Sequence, residues 1–319
     1  MRTLSAKPDL QAYLRLSSAS LGEWLTAIRE MVGCDDIECR LSKPKAVVGS
    51  LSVLEVDAGT VSVHDLAQDM ELSHCRLPQA LLVARIHGQG DVVLSSGIRF
   101  SICPSVMIPA NQSFTLRARE GTRLALVYPV MFSPPVLPQE PLNLALAGHV
   151  YRFLLRSDYS QDHKDASRAA TEFFAQLAQP WGAGNWELSD ELPELDRRLA
   201  RVIEKIRGEP EWDFDLQELA QHSGASERNL YYLMKREIGM TPYRFYQRCR
   251  LIRVRRRLVD CQCDVPHISW YAADEGFSHL GRFAAMYREH FGELPSETVQ
   301  WRRRLQERSA VELPRVVIS

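Results

Sequence analysis

The stretch "DEGFSHLGRFAAMYREHFGELPSE" at residues 274–297 decides the fold of the C-terminal part of the chain. Phe283, Met286 and Tyr287 recur in it every three or four residues, which places them on one face of a helix. Gly276 precedes this run and Gly292 follows it, and glycine tolerates the backbone conformations of turns and helix ends. The pattern therefore predicts a helix with a buried aromatic stripe, bounded by two turns.

A helix-turn-helix unit can be read around this stretch. The helix before the turn carries Val265, Ile268 and the Tyr271-Ala272-Ala273 run at inward positions. The turn is predicted at Glu275-Gly276-Phe277, with Ser278 as the residue that caps the second helix. Phe283, Met286, Tyr287 and Phe291 form the inner stripe of that second helix.

A second unit of the same plan lies upstream, in "LQELAQHSGASERNLYYLMK" at residues 216–235. A short helix through Leu219 and Ala220 is followed by a turn at Gly224, and Ser226 can cap the next helix. The inward positions of that helix are Leu230, Leu233 and Met234.

A basic helix is predicted between the two units, at residues 241–259. It contains seven arginines and no acidic residue, so it cannot neutralise its own charge. Over 226–304 there are 15 Lys or Arg and 9 Asp or Glu, whereas the whole chain has a net charge of −1. A basic block on an otherwise acidic chain indicates nucleic acid as a partner, and these arginines are expected to displace counterions from it.

These residues together resemble the DNA-binding domain of the AraC/XylS family of bacterial transcription regulators, in which one long helix joins two helix-turn-helix units. The resemblance covers about a third of the chain. Val254 replaces the alanine usual in the linker helix. The matching positions are Leu219-Ala220, Ser226, Leu230, Gly239-Met240-Thr241-Pro242, Gly276-Phe277-Ser278, Phe283, Tyr287, Phe291-Gly292 and Pro295-Ser296.

The resemblance implies which side chains read DNA, because the family uses the outer faces of its third and sixth helices. Arginine can bind guanine through two hydrogen bonds, and tyrosine can stack or contact a thymine methyl. Asn229 and Lys235 are expected to contact backbone phosphates, which position the protein without specifying sequence. The residues implied in base reading are Arg228, Tyr231 and Tyr232 in the first unit, and Leu280, Gly281, Arg282 and Ala285 in the second.

The apolar residues of the N-terminal part follow a different periodicity. Residues 20–32 begin with a Ser-x-x-Glu capping box and predict a helix. Short β-rich runs then follow between 46 and 130, separated by Gly and Pro, as in a closed barrel or jelly roll. The run from Leu81 to Ala118 resembles the cupin-like sensor barrel of the same family, although Pro104-Ser105-Val106 replaces its usual Pro-Gly-Asp.

Two joints and a helical hairpin connect these parts. Pro-rich 133–141 and Gly-rich 179–186 predict linkers, and the apolar positions between them recur at helical spacing. The stripe of Leu142, Leu146, Val150 and Phe153 is expected to serve self-association. The predicted class is an α+β multidomain protein: a cupin-like β-barrel sensor at 1–136, a helical hairpin linker at 137–190, an all-α domain with two helix-turn-helix units at 191–308, and a tail at 309–319.

Composition limits the other classes of function. The seven cysteines have no zinc-finger spacing, and His64, His74 and His87 lack the His-x-His pattern of metal-dependent cupins, so neither a metal nor another cofactor is expected. No signal peptide or membrane span is predicted, which favours the cytoplasm.

The sequence thus predicts a DNA-binding transcription regulator and not an enzyme. The resemblance implies an activator that binds double-stranded promoter DNA and RNA polymerase, acts as a homodimer, and responds to a small-molecule inducer whose pocket the sequence does not locate. Two alternatives stay open. The sensor could respond to a protein partner, or the DNA-binding module could be fused to an enzyme with a zinc-cysteine cluster drawn from Cys34, Cys39, Cys75 and Cys103.

Overall fold

A computed structural model describes residues 10–43, 45–131, 140–178, 196–261 and 266–312. The predicted joint at 179–186 lies outside these ranges, as do most of the joint at 133–141 and Val265.

Strands fill the first part of the chain, after a short 3-10 helix at Gln11–Tyr13. They are β1 (Leu14–Leu16), β2 (Glu38–Leu41), β3 (Gly49–Val56), β4 (Gly59–Leu66), β5 (Met70–Arg76), β6 (Leu81–His87), β7 (Gly90–Leu94), β8 (Arg99–Ser101), β9 (Ser105–Ile108), β10 (Ser113–Ala118) and β11 (Arg123–Pro129).

Helices make up the rest. They are α1 (Leu21–Val32), α2 (Glu140–Ser157), α3 (His163–Leu177), α4 (Arg197–Gly208), α5 (Leu216–Ser223), α6 (Glu227–Glu237), α7 (Pro242–Val259), α8 (Ile268–Asp274), α9 (Leu280–Phe291) and α10 (Pro295–Glu312). Within the described ranges, no helix is long and apolar enough to cross a membrane. The predicted capping box of α1 is confirmed, because Ser20 and Glu23 each accept a hydrogen bond from the other's backbone N–H.

The strands form two antiparallel sheets that face each other. One has the order β1-β3-β4-β11-β6-β9 and the other β2-β5-β10-β7-β8. Side chains of β11 alternate between two cores: Leu124, Leu126 and Tyr128 point between the sheets, whereas Ala125 and Val127 join a core on the outer side. Burial on both faces explains why β11 reads as a nearly continuous apolar run.

The outer core belongs to the six-stranded sheet and the helices that cover it. Strands β4, β6 and β11 share this core with α2 and α3, whose Phe153 and Phe173 rings stack with centroids 4.7 Å apart. Leu146, Val150 and Phe153 are at most 5% exposed within this core. The expectation that this stripe serves self-association is therefore wrong, because the stripe packs within its own chain. The side chain of Leu142 lies outside the described residues.

Candidate DNA-binding surface

The first helix-turn-helix unit consists of α5 and α6. Gly224 ends α5 with a positive φ of 75°, which a side chain would strain, and Ser226 then accepts a hydrogen bond from the Asn229 N–H as the cap of α6. Leu230 and Met234 are fully buried against α4 and the start of α7. The burial fixes which face of α6 points outward.

The outward face of α6 carries the first group of predicted contact residues. Arg228, Asn229 and Lys235 are exposed. Tyr231 and Tyr232 are 43% and 58% exposed, high values for large aromatic side chains. The Arg228 guanidinium lies 5.8 Å from the Tyr232 ring centroid, and neither Arg228 nor Lys235 has a carboxylate partner among the residues that the structure describes. This face therefore combines unneutralised positive charge with aromatic rings.

The second unit consists of α8 and α9. Gly276 forms the turn with φ 73°, which a side chain would strain, and a Cβ on it would also displace the Arg250 guanidinium, whose Nη2 lies 1.6 Å from that position. Phe283, Tyr287 and Phe291 form a buried stripe and Met286 is partly buried, which confirms the predicted inner face. The prediction that Ser278 caps α9 is wrong. The cap position is His279, and no side chain caps the helix.

The outward face of α9 has fewer side chains that can form hydrogen bonds than that of α6. Leu280, Gly281, Arg282 and Ala285 are exposed, with Leu280 at 49%. Arg282 has no acidic partner in the described part of the chain, so its guanidinium can bind an external group. All nine predicted contact residues thus lie on outward faces, five on α6 and four on α9.

The arginines of α7 serve a different purpose from the one expected. Arg248 and Arg255 are 3% and 0% exposed. Four of the seven arginines bind acidic side chains of the second unit, which leaves only part of the positive charge of the helix available to displace counterions. The four pairs are Arg244–Glu289 at 3.1 Å, Arg253–Glu275 at 2.7 Å, Arg255–Glu293 at 2.8 Å and Arg257–Asp274 at 2.8 Å.

Arg255 also connects the second unit to the N-terminal domain. Its Nε donates to the Leu14 carbonyl of β1 at 3.2 Å, and Glu293 binds both Arg255 and, at 2.5 Å, Arg15. Burial raises the pKa of Glu293, but the charges of Arg255 and Arg15 outweigh it and hold the pKa below its ordinary value. The carboxylate therefore stays ionised between two guanidiniums at the junction.

A second buried ion pair lies nearby, between α1 and α10. Arg302 Nε donates to Glu23 at 2.8 Å, Gln306 Nε2 donates to the same carboxylate, and Arg302 Nη1 donates to the Val259 carbonyl. Burial raises the pKa of Glu23, but the hydrogen bonds from Arg302, Ser20 and Gln306 together lower it to about 2. Glu23 thus caps its own helix and anchors the C-terminal helix.

An exposed aromatic pair escaped the sequence analysis. Trp270 on α8 is 63% exposed, and its ring stacks on His267 with centroids 4.0 Å apart. A helical projection would have found it, because Trp270 lies away from the buried Ala272. The stacked pair adds an exposed aromatic surface to the second unit.

The cysteine alternative finds no support in the described residues. Cys34 and Cys75 are buried and Cys103 is exposed, and no three His, Cys, Asp or Glu side chains within these ranges are grouped so as to hold a metal ion.

The geometry defines a protein with two helix-turn-helix units whose outer faces are open. A family model described as a helix-turn-helix domain matches residues 219–303. The XylDLEGF operon transcriptional activator 1 of Pseudomonas putida is 39% identical over 244 residues, which cover 74% of this chain and 72% of that protein. The chain belongs to the AraC/XylS family of DNA-binding transcription regulators.

Other similarities cover single parts. The XylDLEGF activator 3 of the same organism is 38% identical over 103 residues, and that match spans only 31% of its length. A probable AraC family regulator from Rhodopseudomonas palustris is 32% identical, with a TM-score of 0.31, over 33% of this chain and 96% of that one. A cupin-2 domain from Rhodospirillum rubrum is 17% identical, with a TM-score of 0.24, over 35% and 81%. The predicted fold class is confirmed, because two facing antiparallel sheets are followed by an all-α part with two helix-turn-helix units.

Proposed function

We propose that this protein activates transcription by binding promoter DNA sequence-specifically through α6 and α9, under the control of a small-molecule inducer. The observation that carries the proposal is the pair of outward faces, each with an arginine, Arg228 or Arg282, that no carboxylate of the described residues neutralises. The relative of similar length is named an operon activator, which supports activation through contact with RNA polymerase.

Each unit would enter the major groove with its second helix, and the two grooves would lie about one helical turn apart on one face of the duplex. Arg228, Tyr231 and Tyr232 would read base edges in the first half-site. Arg282, with apolar contacts from Leu280, Gly281 and Ala285, would read the second. Asn229 and Lys235 would contact phosphates.

The test is binding to a promoter fragment and to random DNA of equal length. Arg228→Ala and Arg282→Ala are each expected to narrow the gap between the two affinities. Arg168→Ala, which removes an exposed arginine of α3, should leave the gap unchanged. If both recognition-helix variants instead weaken binding to all DNA equally, these arginines contact phosphates only.

The homodimer remains part of the proposal, but it needs a surface other than the buried stripe of α2. Leu144 is 51% exposed on the opposite side of that helix. Sedimentation of Leu144→Asp beside the wild type is expected to show a larger monomer fraction for the variant. Equal monomer fractions would show that Leu144 does not lie in the dimer interface.

The inducer can be separated from a controlling protein partner by two measurements. A metabolite inducer should raise the unfolding temperature of the purified protein when it is added, whereas a controlling protein partner should copurify with the regulator and no added metabolite should raise that temperature. The mapping of bound promoters in the genome would then connect the regulator to the genes it controls.

A further inference from the structure

One short turn of the chain contacts both helix-turn-helix units. Helix α2 ends at Ser157 and α3 begins at His163, and we call residues 158–163 the hairpin turn. Gln161 and His163 of this turn are half-buried. Each of these two side chains packs against a glycine that follows one of the recognition helices, α6 or α9.

The two glycines occupy equivalent places in the two units. Gly239 follows α6 in the sequence Gly-Met-Thr-Pro, and Gly292 follows α9 in the sequence Gly-Glu-Leu-Pro. In both cases the proline is the first residue of the next helix, α7 or α10. A Cβ on Gly239 would lie 2.7 Å from Nε2 of Gln161, and a Cβ on Gly292 would lie 2.6 Å from Cδ2 of His163. The absence of a side chain at each glycine therefore makes the room that the hairpin turn fills.

Further contacts attach the hairpin turn to the first unit. Tyr159 lies beside Phe245, with ring centroids 6.4 Å apart, and packs against the core of that unit. The Arg207 guanidinium of α4 lies 5.6 Å from the centroid of each of these rings. Arg207 also donates a hydrogen bond to the Asp158 carboxylate at 3.1 Å. The turn is thus held to α4 and α7 as well as to the end of α6.

Other contacts attach it to the second unit and to the N-terminal domain. His290 of α9 is 7% exposed and forms a hydrogen bond with the backbone of Gln161. A second hydrogen bond joins the Tyr13 hydroxyl to Nδ1 of His163, 3.3 Å apart. Asp162 caps α3 through its side chain, which gives the turn a defined shape of its own. The same six residues therefore contact both units and the N-terminal domain.

A second connection between two bodies fixes an orientation that a single connection leaves free. Helix α7 joins the two units covalently, but α7 alone would leave each unit able to rotate about its contact with that helix. The hairpin turn connects the C-terminal ends of α6 and α9, and close packing at both glycines leaves little room for such a rotation.

We propose that the hairpin turn sets the distance and the rotation between the two recognition helices, with Gln161 and His163 as the positioning residues. The protein is thereby selective for the number of base pairs between its two half-sites, since each inserted base pair rotates one half-site by roughly 35° relative to the other. This second statement rests on the proposed function, whereas the first concerns the protein alone.

The distance between two spin labels tests the first statement without DNA. The labels are carried by unnatural residues in place of Arg236 and Arg288, which are exposed in the last turns of α6 and α9. In the full-length protein the distance distribution should be narrow, and the double variant Gln161→Ala, His163→Ala should broaden it. Lys164→Ala is the matched control, since Lys164 is exposed beside the turn and should leave the distribution narrow.

A second double variant separates positioning from folding. Gln161→Met, His163→Phe keeps side-chain volume at both glycines and should keep the distribution narrow. Circular dichroism should be the same for all of these proteins, which shows that they fold. Equal widths for the wild type and the double alanine variant would overturn the proposal.

Promoter fragments with one base pair inserted between the half-sites test the second statement. The insertion should lower the affinity of the wild type about tenfold or more, because the base contacts of one half-site are lost. The double alanine variant should lose only about threefold, because units that rotate can follow the displaced half-site at the cost of their ordering. Discrimination between bases within each half-site should be the same in both proteins.

The outcomes distinguish the two statements. An equal loss of affinity in the two proteins, or no loss in the wild type, would overturn the role of the hairpin turn in half-site spacing. If the distance distribution broadens as expected but none of the proteins distinguishes the promoter from random DNA, the proposed function fails and the positioning role stands.

Discussion

The two helix-turn-helix units share a plan but are built into the molecule differently. The first unit has a core of its own, formed by α4, α5, α6 and the start of α7. The second unit has its aromatic stripe in the same core as the six-stranded sheet and the hairpin α2–α3. The N-terminal domain therefore shares a core with α9 but not with α6.

Charge reinforces this difference. The pair of Arg255 and Glu293, 0% and 15% exposed, and the pair of Arg302 and Glu23, 3% and 6% exposed, join the second unit and α10 to the N-terminal domain. The hairpin meets the first unit through several contacts, among them the ion pair of Arg207 and Asp158, 3.1 Å apart and 35% and 10% exposed. Buried pairs lose far more free energy than exposed pairs when one partner is removed. The ion pairs that attach the second unit are thus the more deeply buried ones.

The largest expected effect comes from Glu293→Gln. The change leaves the buried Arg255 without its counter-charge, which should lower the free energy of unfolding by about 3–5 kcal/mol. Hydrogen exchange should accelerate in α9 and α10 before α5 and α6. Urea unfolding and exchange measured by mass spectrometry would check both statements.

Two controls sharpen that comparison. Glu237→Gln removes an exposed acid of the first unit and should change the free energy by less than about 1 kcal/mol. The double variant Arg255→Met, Glu293→Leu removes both charges and should recover much of the lost stability. A Glu293→Gln protein as stable as Glu237→Gln would show that the pair does not hold the sensor to α9.

Low pH should weaken the contact between α1 and α10 that Glu23 and Arg302 form. The folded pKa of Glu23 is about 2, below the ordinary value of 4.5, so its contribution is complete above pH 4.5 and is lost as the pH falls toward 2. Between pH 6 and pH 3 the loss should be about 2 kcal/mol. Urea unfolding of the wild type should show this extra pH dependence relative to Glu23→Gln, and parallel curves for the two proteins would contradict it.

Replacement of the recognition arginines should have smaller, local effects. Arg282→Ala should cost about 1–3 kcal/mol at one base pair and leave the second half-site with little discrimination. Arg228→Ala should cost a similar amount at its own base pair, but Tyr231 and Tyr232 would still discriminate there. Binding to single-base variants of the promoter measures both, and Arg168→Ala serves as the unaffected control.

Local features of the fold were predictable, and remote partners were not. The turns at Gly224 and Gly276 and the stripe through Phe283 and Tyr287 follow from neighbours within a few residues. The apolar periodicity of α2 predicts that its stripe is buried. Periodicity cannot tell whether the stripe packs against another copy of the protein or within its own chain.

The candidate site was also predictable only in its local features. The contact residues on α6 and α9 were implied by the family resemblance, and their exposure agrees with the helical pattern, because the buried faces fix the outward ones. The roles of the α7 arginines did not follow, because the acids that neutralise Arg253 and Arg255 lie 22 and 38 residues further on. The junction pair of Arg302 with Glu23 spans 279 positions, and no local pattern reports it.

The smallest expected effect is a difference in base specificity between the two half-sites. The face of α6 offers Arg228, Tyr231 and Tyr232, and each of these side chains can reach a base edge or stack. On α9, Leu280, Gly281 and Ala285 can make only apolar contacts through their side chains, so Arg282 carries the hydrogen bonding nearly alone.

The half-site read by α6 should therefore tolerate fewer base changes, at about 1–3 kcal/mol per mismatch, than the half-site read by α9. Attachment of α9 to the N-terminal domain is compatible with this division, since a helix whose position is set by that domain can control occupancy without reading many bases. A base-by-base scan of one promoter, repeated at two salt concentrations to separate phosphate from base contacts, measures it. If the second half-site proves equally restrictive, thymine methyl contacts or ordered water supply the discrimination, and the number of polar side chains on a recognition helix does not set its specificity.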